Sequence, residues 1–61
     1  KIAVIGSGAW GTALALHFCK EHDTVLLTKN QATASKLLYD RENRKYLPHQ
    51  IFPPQLKVTS L

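Results

Sequence analysis

Apolar residues along this chain fall into two short continuous runs, each followed by a stretch of helical composition. Ile2-Ala3-Val4-Ile5 is unbroken by polar residues and β-branched at three of four positions. It predicts a strand buried on both faces, the kind found in parallel sheets. Gly6-Ser7-Gly8 ends it, and from Ala9 or Trp10 to about Glu21 alanine and leucine favour a helix. Leu14 and Phe18, four apart, predict one packing face, broadened by Ala13, Leu16 and Cys19. Glu21-His22-Asp23 marks a turn, and Thr24-Val25-Leu26-Leu27-Thr28 predicts a second strand.

Asn30 suits a helix N-cap. A second helix is expected from Gln31 to about Asp40 or Glu42, with Ala34, Leu37 and Leu38 as its core stripe. Pro48, Pro53 and Pro54 keep Asn43 to Gln55 irregular, and Lys57-Val58-Thr59 begins a third strand. Strand, helix, strand, helix is the βαβ order. The fold class expected is α/β, the N-terminal part of a Rossmann-type doubly wound parallel sheet.

Composition narrows this picture. With 44% hydrophobic and 20% charged residues the chain is globular in type, and no apolar run approaches the ~18 residues of a membrane span. A single cysteine, Cys19, excludes an internal disulfide and fits a reducing, cytoplasmic setting. The net charge of +4 admits a nucleic-acid or phosphate partner, but the lysines are scattered rather than grouped. Both ends read as cuts, so residues 1–61 are expected to be part of a longer domain.

The chemistry lies in Gly6-Ser7-Gly8-Ala9-Trp10-Gly11, a G-x-G-x-x-G between a buried strand and a helix. In that context Gly6 permits the tight turn, Gly8 lets backbone approach a pyrophosphate, and Gly11 lets helix and strand pack closely. The helix N-terminus offers free N–H groups to the phosphates. A P-loop is excluded because Thr12 stands where its lysine belongs. A zinc site at His17, Cys19 and His22 is disfavoured, since His17 and Cys19 diverge on a helix and no fourth ligand is evident. No metal is expected.

The second strand ends in Thr28-Lys29-Asn30, not in the Asp or Glu that holds a ribose 2′-hydroxyl in NAD-specific sites. Lys29 would attract a 2′-phosphate, so the cofactor expected is NADP or NAD, with NADP tolerated or preferred. Arg41, Arg44 and Lys45 are a phosphate-patch candidate or an ordinary solvated face. Trp10 is a cofactor contact or a packing residue under the turn, and Tyr46-Leu47-Pro48 an anchor for a long loop.

The opening Lys1-Ile2-Ala3-Val4-Ile5-Gly6-Ser7-Gly8-Ala9-Trp10-Gly11-Thr12-Ala13-Leu14-Ala15 resembles that of bacterial-type NAD(P)-dependent glycerol-3-phosphate dehydrogenases. So does Asn43-Arg44-Lys45-Tyr46-Leu47-Pro48, followed by Pro53-Pro54-x-Leu56 and Val58-Thr59-x-Leu61. The likeness spans essentially the whole chain. It departs at Ala9, often serine in the family, at a shortened Glu21-His22-Asp23 turn, and at Leu27, commonly tryptophan.

The resemblance implies an enzyme that interconverts dihydroxyacetone phosphate and sn-glycerol 3-phosphate with NAD(P)H, in glycerophospholipid synthesis. It implies that Ala9 and Trp10 line the cofactor, that Lys29 occupies an often basic position, and that Asn30 lies near the adenosine end. The catalytic lysine and the helical substrate domain belong to other sequence, so this chain alone is expected to be inactive. A small-molecule substrate, no nucleic-acid partner and an allowed homodimer complete the expectation. The rivals are another dinucleotide enzyme, such as a ketopantoate-type reductase or an FAD oxidoreductase, a basic nucleic-acid-binding module, and a non-catalytic interaction fragment. Tyr46-Leu47-Pro48 argues against the first, and the absence of a DNA-binding motif or aromatic-rich sheet against the second.

Overall fold

A computed structural model describes all residues 1–61. The elements run β1 (Ile2–Ile5), α1 (Ala9–Phe18), β2 (Thr24–Thr28), α2 (Gln31–Asp40) and β3 (Lys57–Ser60). The three strands form one parallel sheet in the order β1-β2-β3. Each helix is the crossover between two of them, so the chain builds the N-terminal part of a Rossmann-type sheet.

Register decides where the core lies. Val4 pairs with Leu26, and Leu26 with Val58, so these side chains share one sheet face. That face meets Ala15 of α1 and its C-cap Cys19, Ala34 and Leu37 of α2, and Phe52 and Leu56 of the following loop. The opposite face is open: Ala3 is exposed and Ile5 is 70% exposed. Within residues 1–61, β1 is therefore covered on one side only.

The helices differ from expectation in face and length. α1 turns Thr12, Ala15 and Cys19 inward, while Leu14 is exposed and Phe18 half-buried. Small side chains let the helix axis approach the sheet, and Leu14 lies to one side. α1 ends at Phe18 rather than near Glu21, because the N–H groups of Glu21 and His22 both turn back to the Phe18 carbonyl. That turn delivers Asp23, whose carbonyl accepts from Ile2 N–H, to the start of β2. In α2, Ala34 and Leu37 are buried and Leu38 is exposed.

α2 stops at Arg41, which takes the left-handed conformation with φ of 56°. Its guanidinium donates to the Pro53 carbonyl at 2.7 Å, and the Phe52 N–H returns to the Arg41 carbonyl at 2.6 Å. This double tie seats Phe52 in the core, so the irregular 42–56 segment is anchored rather than loose. Across the sheet's other end, the Lys57 ammonium lies 3.0 Å from Asp23 and holds that carboxyl below its usual range.

Candidate functional site

The three glycines have separable causes. Gly6 has φ of +103°, a conformation L side chains rarely adopt, so the turn itself requires glycine. At Gly11 a Cβ would collide with the Gly6 carbonyl oxygen and lie 3.1 Å from its carbon, so the close approach of α1 to the turn requires glycine too. Gly8 is different. Its φ of −71° and ψ of −177° suit any residue, and a Cβ there would meet nothing within 4 Å. Neither backbone strain nor packing accounts for glycine at this position; open space in front of it does.

Gly8 is also the N-cap of α1, and no side chain caps that end. The first intrahelical bond from the turn is Thr12 N–H to Gly8 carbonyl at 3.0 Å. The N–H groups of Ala9, Trp10 and Gly11 therefore have no partner within the protein, and the first turn carries no acidic residue. Such an end carries a partial positive charge and suits an anion. The donor set fits a pyrophosphate: backbone N–H groups behind a residue with no side chain.

Beside the turn a groove of about 530 Å³ runs between the glycine turn, the end of β2, α2 and the 42–46 segment. It collects Gly6, Ser7, Gly8, Lys29 and Asn30, five of the residues singled out in the sequence. Ala9, Trp10 and Gly11 do not line it. Trp10 is 86% exposed, so it does not pack beneath the turn. Lys29 is exposed, follows the last residue of β2 and has no ion-pair partner. The Asn30 side chain accepts from the Thr33 N–H at 2.8 Å, the N-cap expected of it, and one of its polar atoms is thereby engaged.

The basic patch comes apart. Arg41 is spent on the loop carbonyls, and Arg44 pairs with Glu42 at 3.6 Å. Lys45 lies over the Tyr46 ring, 5.1 Å from its centroid, and borders the groove. Lys36, paired with Asp40 at 3.3 Å, also borders it. The Cys19 thiol is buried and directed to the Leu16 carbonyl, away from any histidine cluster.

Sequence reasoning missed Asn43 as a member of the site. Its side chain is buried, with 4% of the residue exposed, and its amide donates to the Ser7 carbonyl at 2.6 Å and to Thr12 Oγ1 at 2.9 Å. The only signal was its place at the head of the Asn-x-x-Tyr-Leu-Pro block, which says nothing of a partner 36 residues away.

Comparison with known proteins points in one direction. A family model described as NAD-dependent glycerol-3-phosphate dehydrogenase N-terminus matches residues 1–60. The glycerol-3-phosphate dehydrogenase [NAD(P)+] of Methylibium petroleiphilum is 42% identical over 60 residues, and that of Aromatoleum aromaticum 47%. Each alignment covers 98% of this chain and 18% of the relative, so the chain spans under a fifth of their length. The crystal structure of a glycerol-3-phosphate dehydrogenase from Coxiella burnetii superposes with a TM-score of 0.86 at 34% identity, over 98% of this chain and 19% of that one.

Proposed function

Because this chain belongs to the NAD-dependent glycerol-3-phosphate dehydrogenase N-terminus family, we propose that it is the pyrophosphate-binding front of an oxidoreductase that interconverts dihydroxyacetone phosphate and sn-glycerol 3-phosphate with NAD(P)H. The observation that carries the reading is Gly8. The fold has no need of glycine there, yet the position stands at an uncapped helix end beside a groove. A ligand with two adjacent negative charges explains both features at once.

In this reading Gly8 leaves room for the pyrophosphate and the free N–H groups of α1 donate to it. Gly6 and Gly11 hold the turn in shape, and Ser7 contributes backbone to the groove wall. Lys29 faces the ribose end, where its ammonium favours a 2′-phosphate, and Asn30 stands beside it. Ala9 and Trp10 lie outside the groove, in the first turn of α1, and their contact with the cofactor is assigned to that uncapped helix end. When bound, the cofactor supplies the hydride; no residue described above is assigned as proton donor. No helix of this chain is long and apolar enough to cross a membrane. A cytoplasmic enzyme of glycerophospholipid synthesis, with no nucleic-acid partner and with homodimerisation allowed, is the setting that accords with this reading.

The test is calorimetric titration of the protein containing this chain with NADPH and NADH, before and after Gly8→Val. Binding by the parent and its loss in the variant, with an unchanged melting temperature, are expected. Equal affinity in the two proteins overturns the assignment.

A further inference from the structure

The carboxamide of Asn43 is the one polar group that reaches from the 43–47 segment into the glycine turn. It is buried, and both its hydrogen-bonding ends are used. Nδ2 donates to the Ser7 carbonyl and to Thr12 Oγ1, while Oδ1 accepts from the Tyr46 N–H at 3.4 Å. Thr12 Oγ1, itself in a buried residue, closes the triangle by donating to the same Ser7 carbonyl at 3.3 Å. The Asn43 backbone is fixed as well, since its carbonyl accepts from Leu47 N–H at 2.8 Å within an antiparallel bridge.

The consequence follows from peptide geometry. A trans peptide unit is planar, and its C=O and N–H point in opposite directions. Two donors pull the Ser7 carbonyl inward, toward buried Asn43 and Thr12. The N–H of the same peptide unit, that of Gly8, is thereby turned outward, where no protein acceptor meets it. Without those donors the Ser7–Gly8 peptide is held less firmly, since one of the two torsions that flank it is the φ of Gly8, which has no side chain to restrict it. A donor aimed in advance at the position of an anion binds it without the cost of ordering the loop at that moment.

We propose that Asn43 is a positioning residue for dinucleotide binding: by clamping the Ser7 carbonyl together with Thr12, it orients the Gly8 N–H toward the pyrophosphate. This rests on the reading of the glycine turn given above. Asn43 itself is not required to touch the cofactor.

The test uses the full-length protein containing this chain, titrated with NADPH from pH 5 to 8 beside melting temperatures without ligand. Asn43→Asp retains the shape of the side chain. Its neutral carboxyl donates to the Ser7 carbonyl, whereas its anion has no proton to give and repels both that oxygen and the phosphates. Burial favours the neutral form and raises its pKa. The expected result is a variant roughly tenfold weaker than the parent near neutrality that regains affinity relative to the parent as pH falls. Dividing by the parent's affinity at each pH removes effects common to both proteins, those of the charged groups Lys29, Lys36, Asp40, Glu42, Arg44 and Lys45 that border the same groove included.

Thr12→Val is expected to lose a few-fold in affinity and Thr12→Ser almost none, because only the latter keeps the hydroxyl. Losses that follow the melting temperature with no pH-dependent recovery overturn the proposal, as does parental affinity in Asn43→Asp. Failure of the parent to bind NADPH overturns the underlying reading along with it. Should Asn43→Asp not fold, the Thr12 pair decides: equal affinities for Val and Ser overturn the clamp.

Discussion

The two helices of this chain begin in opposite ways. α2 is capped at its N-terminus by a side chain: Asn30 Oδ1 accepts from Thr33 N–H, while the Ala34 N–H to Asn30 carbonyl bond only matches that from Thr12 N–H to the Gly8 carbonyl in α1. α1 is left open: its cap residue, Gly8, has no side chain, and nothing in the chain takes the place of one. Neither first turn contains an acidic residue, so charge does not distinguish them. The difference is one of unsatisfied donors. A helix end that the protein leaves uncapped at a groove is a place where something else accepts those bonds. α2 spends one of its three first-turn donors, the Thr33 N–H, on its cap, and α1 spends none of its own.

The largest expected effect breaks this comparison from the side of α1. Gly8→Val should abolish NADPH binding while leaving the fold intact, because the new side chain enters space that only a ligand uses. Gly11→Ala should do the reverse. Its methyl meets backbone rather than a flexible side chain, so the helix or the turn has to move, at a cost of about 3 kcal/mol, the upper end for overpacking. Denaturant unfolding of the two variants side by side checks the contrast. A Gly8 variant that unfolds more easily than the Gly11 variant would show that the open end is a structural requirement and not a binding site.

That separation of roles also shows what the sequence made legible. The strands, the order of elements and the glycine turn were readable, because β-branched runs and a motif of fixed spacing are local signals. The inward face of α1 was not. Its apolar residues, among them Ala13, Leu14, Leu16 and Phe18, surround much of the helix, so periodicity alone does not choose a side. The choice falls on the small residues Thr12, Ala15 and Cys19, which permit close approach to the sheet. β1 has the composition of a strand covered twice, and residues 1–61 supply one of those covers. Arg41 read as part of a phosphate patch or of a solvated face, and only the path of the later loop reveals that it holds Pro53 instead. Asn43 was hidden for the same reason: hydrogen bonds across 36 residues leave no periodic trace.

A smaller effect is expected at the groove's far wall. Lys29→Asp should weaken NADPH binding more than NADH binding, by on the order of 1–3 kcal/mol in the difference, because a charge-assisted contact to the 2′-phosphate is first lost and then inverted. Lys29 has no carboxylate partner to screen it, unlike Lys36, which Asp40 holds. The same substitution at Lys36 is expected to change the affinity ratio less. An unchanged ratio in Lys29→Asp would remove Lys29 from the ribose site.

The smallest expected effect sharpens the comparison from the side of α2. Asn30 has two assignments, a helix cap, which the structure shows, and an adenosine-end contact, which is proposed. Asn30→Ala removes the acceptor for the Thr33 N–H, and should cost about 1 kcal/mol of stability, the usual worth of a cap. Asn30→Asp keeps an acceptor in place and adds a negative charge, which the helix end favours by roughly 0.3–1 kcal/mol. Stability should therefore be retained or gained in the aspartate variant. Ligand affinity should divide the other way. The new carboxylate borders the groove next to Lys29 and opposes a 2′-phosphate, so NADPH binding should weaken, while NADH, with a hydroxyl there, should bind as well or better. Melting temperatures and titrations of Asn30→Ala, Asn30→Asp and the parent read both quantities. If stability and affinity fall together in both variants, Asn30 acts on the ligand only through the fold of α2. If the aspartate variant is stable yet selects NADH, the closed end of α2 also contributes to coenzyme choice, and the two helix ends divide the dinucleotide between them: pyrophosphate at the open end, ribose at the closed one.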